Sequence, residues 1–166
     1  EMAESGRSTR GLPVDATEQQ VRAALAWKDS AWPWSAYGPT IMAAVQAGVL
    51  VAGANLPSAR MRGAMTDAGL DSRLDAPALD AQHQAIRDGH CGLLPDAQIG
   101  PMTRIQIARD LAMATTAESL AQAGKTVLLI AGGGHVLADR GIPRHVATGL
   151  QVRSLLLRAG PAGAAP

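Results

Sequence analysis

Lys125-Thr-Val-Leu-Leu-Ile-Ala131, followed at once by Gly132-Gly-Gly-His135, is the stretch on which the reading of the fold turns. A short, continuous apolar run bounded by glycine has the pattern of a strand buried on both faces, as in a parallel sheet. Val49-Leu-Val-Ala-Gly53 has the same character, and Val152 to Leu157 is a weaker example. Between these runs the spacing predicts helices. One spans 16–28, where Asp15 and Glu18 form a capping-box pattern ahead of Val21 and Leu25. Others span 40–47 up to Gly48, 58–68 with Ser58 as cap, and Pro77 to Asp88. The longest covers 97–123, with Met102, Ile105, Ala112 and Leu120 in its pattern and Gly124 at its end. Helices alternating with short apolar strands predict an α/β fold, a mainly parallel sheet flanked by helices. Three strands are few for such a sheet, so it is expected to be incomplete at its N-terminal side, the remainder missing or supplied by another chain.

The chain has 166 residues, 47% of them hydrophobic, with a formal charge of +1. That fits one globular domain, read as 1–157, with 158–166 as a disordered Ala, Gly and Pro tail. Near neutrality, with acids interspersed among the bases, argues against nucleic-acid binding. Thirteen Arg against two Lys, in a chain rich in Ala and Gly, reads first as base composition. The single Cys91 excludes an internal disulfide and any Cys-rich zinc site, leaving a small buried hydrophobe or a reactive thiol. No stretch approaches the ~18 apolar residues of a spanning helix. The first residues lack the pattern of an export signal, and a start at Glu1 reads as a processed or truncated piece. There is no Phe, and Trp27, Trp32, Trp34 and Tyr37 share one eleven-residue window read as a loop crossing Pro33 and Pro39.

In open parallel sheets ligands gather beyond the carboxyl ends of strands. After Gly53 come Asn55, an amide in a loop, and Arg60, a planar cation; both are binding candidates or, more simply, a turn residue and a solvated face. After Ala131 the three glycines deliver His135, a candidate metal or haem ligand, a general base, or a histidine hydrogen-bonded in a turn. Neither a dinucleotide fingerprint nor a phosphate loop is present. Asp139, Arg140 and His145 follow closely enough to orient or share that site, and His90 sits in a second glycine-flanked loop. Arg109 lies in an Ala-, Ile- and Met-rich helix and points either to solvent or into a pocket; its neighbour Asp110 faces elsewhere.

Five segments taken in order resemble the ChaN-like haem-binding lipoprotein family of the Tiki superfamily. They are Trp32-Pro-Trp-Ser-Ala-Tyr37-Gly-Pro, Val51-Ala-Gly-Ala-Asn55-Leu-Pro, His90-Cys-Gly-Leu-Leu-Pro95, Gln106-Ile-Ala-Arg109-Asp110-Leu-Ala-Met113-Ala, and Leu129-Ile-Ala-Gly-Gly-Gly-His135 with Asp139-Arg-Gly-Ile-Pro143. The resemblance implies a bacterial cell-envelope or periplasmic protein that binds haem for iron acquisition without turnover, attached to membrane only through a lipid anchor outside this chain. Members open with a strand bearing a Gly-Glu-x-His motif, then a helix and a second strand ending in Glu-Met; Glu1-Met2 matches that end, and the earlier motif is absent here. Haem binding needs an axial donor, apolar walls and cations for the propionates. Tyr37, His135 and His145 are the iron-ligand candidates, with His90 a further imidazole and Met61, Met65 and Met102 weaker thioethers. Arg60, Arg109 and Arg140 are the propionate candidates, with Asn55 beside them. The Trp cluster either flanks the macrocycle or anchors its loop on an aliphatic core. The alternative is a metal-dependent hydrolase using a divalent metal, since Gly132 to His135 is also the G-x-x-H of the superfamily's peptidase branch. A structural domain whose open edges another chain covers, or a homodimer, completes the set of expectations.

Overall fold

A computed structural model describes residues 1–157. The architecture is helical: α1 (Glu18–Ala24), α2 (Trp34–Gln46), α3 (Ser58–Thr66), α4 (Ala76–Gly89) and α5 (Asp96–Leu120). Short 3₁₀ turns cover Ala68–Arg73, Gly133–Val136 and Ile142–His145. The expected parallel sheet is not there. Among the described residues the only strand-like pairings are two isolated bridges, Glu4 with Asn55 in parallel sense and Ser8 with Ala52 in antiparallel sense. The physical reason is that a strand is a relation between two backbones. Residues 125–131 have no regular secondary structure, and their one link to that pairing among the described residues is Glu1 N–H donating to the Ile130 carbonyl at 3.1 Å. Residues 49–55 pair only with the first ten residues, through bonds such as Thr9 N–H to Val51 O at 2.9 Å and Asn55 N–H to Ala3 O at 3.0 Å. The apolar run at 152–157 is likewise coil, and the tail read at 158–166 lies outside the described residues.

The α5 helix organises the molecule. Ile99, Thr103, Ile107, Asp110 and Ala114 recur every three or four residues and form its buried stripe. Ile107 and Ala108 meet Leu56, Ala64, Leu70, Leu74 and Ala78 in one core with α3 and α4. Further along, Met113 and Ala114 pack with Ala54 and Ile142. A separate core joins α1 and α2 through Val21, Leu25, Trp34, Ile41 and Val45, with Trp27 and Tyr37 packed against it.

Several boundaries moved from where the spacing set them. The capping box of α1 is made by Thr17 and Gln20, not by Asp15 and Glu18. That helix stops at Ala24, because Ala26 turns to a left-handed φ of 48° and sends Trp27 N–H back to the Arg22 carbonyl. The Trp window is not all loop, since α2 begins at Trp34, whose N–H donates to Asp29 Oδ1 at 2.8 Å. Pro39 sits inside α2 because the hydrogen bond it forfeits belongs to Ser35, on an exposed turn. Ser58 opens α3 but does not cap it; its N–H is taken by Glu4 Oε1 at 3.1 Å. In α4 the cap is Asp75, which accepts from Ala78 N–H and also holds Arg144 at 2.6 Å. Gly53 must be glycine, as a Cβ there would collide with the Glu4 carbonyl where the N-terminal segment crosses it.

Candidate functional site

Helix α5 presents Gln106, Arg109 and Asp110 toward the first residue and the Gly132 to His135 turn. That turn is closed by His135 N–H to Gly132 O at 2.9 Å, and Gly141 lets the following chain pass against the His135 carbonyl, where a Cβ would not fit. His135 is thereby buried with both ring nitrogens engaged: Nδ1 lies 2.5 Å from Asp110 Oδ1, and Nε2 lies 3.3 Å from Glu1 Oε1. Glu1 also accepts from Arg109 Nη2 at 2.6 Å and from Gly132 N–H at 2.5 Å. Arg109 Nε donates to Asn55 Oδ1 at 3.0 Å, and the Gln106 amide lies 2.9 Å from the imidazole. The glycines were expected to bend the backbone; Gly132, Gly133 and Gly134 have no positive φ, and Gly132 instead contributes its N–H to Glu1.

The electrostatics follow from this packing. Burial opposes ionisation of Glu1, yet the hydrogen bonds from His135 and Gly132 and the charge of Arg109 outweigh it and bring the carboxyl down to about 2. Burial pushes Asp110 up, with His135 partly offsetting it. Burial also works against the charged form of His135, but bonds to Asp110 and Glu1 prevail and raise it above its ordinary value. Two carboxylates thus face an imidazolium and a guanidinium, a neutral buried seam of the kind that is costly to break by removing one partner. A ring with both N–H groups donated has no lone pair for a proton or an iron unless an ion pair opens first.

The other candidates are distributed elsewhere. Tyr37 packs in the α1–α2 core, its ring 6.2 Å from Trp27 and 5.6 Å from Trp32. His90 caps α4 by donating Nδ1–H to Ile86 O at 2.8 Å, which leaves Nε2 as the free ring nitrogen. His145 is pushed down by burial and by Arg73 and Arg144, and its buried Nε2 has no hydrogen-bond partner among the described residues. Arg60 is exposed on α3, and Arg140 pairs with Asp139 at 2.6 Å. The structure therefore joins Asn55, Arg109 and His135, and leaves Tyr37, Arg60, His90, Arg140 and His145 apart from that seam. Asp110 and Glu1 were missing from the sequence-based site. The usable signal for Asp110 was its spacing of four from Gln106, which puts two polar groups on one helical face. Among the described residues no group of three His, Cys, Asp or Glu is placed to hold a metal ion.

Beside the seam runs a cleft of about 800 Å³ with Glu1 in its lining. Its walls include Leu25, Trp27, Ile41, Val51, Leu128 and Ile130, with small Ala44, Ala52 and Ala54 between them. Arg10 and Lys125 also line it, and neither takes part in an ion pair among the described residues. A volume of this size with mostly apolar walls suits a small organic ligand.

Fold and site together define a small helical protein in which an apolar ligand cleft adjoins a saturated ion network. A family model described as "Haem-binding uptake, Tiki superfamily, ChaN" matches residues 6–146, and the chain belongs to that family. No curated protein and no solved structure matches the chain. The group that this family implies is haem. The structure meets its requirements unevenly: the cleft supplies apolar walls and two unpaired cations, its lining includes Met2 as a thioether, and no His, Cys or Tyr lines it. No helix of the described residues is long and apolar enough to cross a membrane.

Proposed function

We propose that this protein binds haem without turnover and serves iron acquisition in the cell envelope or periplasm, with any membrane attachment made by a lipid anchor and with assembly as a homodimer. The observation that carries the reading is the family match across 6–146. Haem, when bound, would supply an iron that takes a protein donor. Tyr37 and His90 are the residues that would hold the iron, because the Tyr37 hydroxyl has no hydrogen-bond partner among the described residues and His90 keeps Nε2 free. His135 is assigned to holding Glu1 and Asp110 in place, and Arg109 to neutralising Glu1 and fixing Asn55.

Titration of the purified protein with haemin, followed by the Soret band, tests this. A saturable shift is expected, weakened by Tyr37→Phe or His90→Ala. A linear rise without saturation sinks the reading. Static light scattering of the loaded protein gives its mass, and a monomer across the accessible concentration range removes the homodimer.

A further inference from the structure

We infer that the cleft between residues 48–52 and 125–130 is a docking groove for one extended strand of another polypeptide, an apolar segment with an acidic end. The inference stands apart from the haem-binding reading and uses none of the residues assigned to the iron.

The first observation is the state of the backbone along both walls. In the 49–55 wall the bonds alternate: Val51 C=O accepts from Thr9 N–H, Gly53 N–H donates to Arg7 O, and Asn55 bonds to Ala3 and Ser5. Leu50, Ala52 and Ala54, which lie between them, use neither N–H nor C=O in a hydrogen bond among the described residues. Alternate residues of an extended segment direct these groups to opposite edges, so one edge of this wall is paired and the other is open. On the facing wall no N–H from Thr126 to Ile130 is bonded among the described residues, and of their carbonyls only that of Ile130 has a donor. Unpaired backbone groups are rare where they are buried, and Ala54 is only 3% exposed. Two open backbone edges lining one cleft match the two edges of a single inserted strand.

The second observation is the width of the gap. Glu1 to Ala3 lie between the walls at one end, with Glu1 N–H bonded to Ile130 O at 3.1 Å and Ala3 O accepting from Asn55 N–H at 3.0 Å. One stretch of backbone there reaches both walls, and the rest of the cleft continues the same gap.

The third is what the groove offers to side chains. Val51 packs on the α1–α2 core, whereas Ala54 packs on Met113 and Ala114 of α5, so this wall runs between two apolar layers. A strand laid beside it has apolar surroundings on both faces and is matched by a continuous apolar run rather than an alternating one. Val49, 57% exposed, and Leu128, 81% exposed, leave apolar area for it to cover. The bond between Thr9 and Val51 sets Arg10 beside the 49–50 end, and Lys125 begins the facing wall. Neither cation has an ion-pair partner among the described residues. Both stand toward the end remote from Glu1, so the carboxylates of the incoming strand belong there. A compact ligand would leave both backbone edges unpaired.

The probe for this groove is acetyl-Glu-Glu-Val-Ile-Val-Val-Ala-amide, added to the full chain and followed by amide hydrogen exchange read residue by residue. In the free protein the amides of Leu50, Ala52 and residues 126–130 are expected to exchange fast. Saturating probe should slow Leu50, Ala52 and amides of the 126–130 wall by about tenfold or more, as new backbone hydrogen bonds require, and leave Gly53, bonded on the other edge, unchanged. The same peptide with Pro at its central Val, or with Lys-Lys in place of Glu-Glu, should bind about tenfold more weakly or worse. Arg10→Glu with Lys125→Glu should invert the preference between the two charged probes, and circular dichroism verifies the fold of that variant. No slowing at millimolar probe overturns the inference. Equal protection by the proline peptide also overturns it, since apolar adhesion needs no backbone pairing. So does slow exchange of both walls in the probe-free monomer, which would mean that they are already paired. Protection that rises with protein concentration, together with a doubled mass in light scattering, would give the groove to a second copy and overturn the separate partner.

Discussion

Two neighbouring regions share Glu1 and treat polarity in opposite ways. In the seam, each charged group of Glu1, Arg109, Asp110 and His135 meets an opposite charge, and Asn55 Oδ1 accepts from the remaining edge of Arg109. In the cleft, Arg10 and Lys125 have no carboxylate partner among the described residues, and aliphatic side chains face water. A saturated network resists change because every displacement exposes a buried charge. A lining with unused charge and unburied apolar area can bind something else. The arrangement that looks most like a catalytic constellation thus holds the structure together, and the plainer surface is left for a ligand.

The comparison breaks first if the seam can be dismantled cheaply. His135→Ala leaves the buried Asp110 carboxylate without its partner, while Glu1 keeps Arg109, and should cost about 3–5 kcal/mol in urea unfolding; a loss under about 1 kcal/mol would show that the seam carries no such weight. Protonation is a gentler version of the same test. Glu1 titrates near 2 when folded, against 4.5 for the free side chain, so its contribution is present above pH 4.5 and is lost as pH falls toward 2, up to about 3 kcal/mol. His135 is shifted upward, so its contribution is full below its unfolded value of 6.5 and is lost as pH rises through its folded value. Thermal melts across that range should show stability falling at both ends.

Gly53→Ala drives a methyl group into the Glu4 carbonyl and should cost about 2 kcal/mol while displacing the N-terminal segment, seen as loss of amide protection at Asn55. The smallest effect has the opposite sign. Thr103 is fully buried with its hydroxyl unpartnered among the described residues, so Thr103→Val should stabilise by about 1 kcal/mol in the same melts.

The helices of the α3–α4–α5 region were legible because their period is a property of one segment: 58–68, 77–88 and 97–123 became 58–66, 76–89 and 96–120. The error at 125–131 and 49–53 has a different origin. An apolar run bounded by glycine states that a segment is buried or extended, whereas a sheet depends on a second backbone that no local pattern contains. In the site, Arg109 could be flagged as an oddity in an apolar helix, and Asp110 could be said to face away from it. Where each one pointed was not local information. Glu1 became visible only once residues 1 and 135 were brought to the same helix face.

The absence of Phe and the confinement of Trp27 and Trp34 to the α1–α2 core, with Trp32 against Tyr37 beside it, have an experimental use. Intrinsic fluorescence of this protein comes from that corner alone, while far-ultraviolet circular dichroism is dominated by α4 and α5, whose core contains no tryptophan. Denaturation curves from the two signals therefore watch two cores of one chain without any label. Coincident midpoints would mean the cores unfold as one unit, and separated midpoints would name the one that yields first.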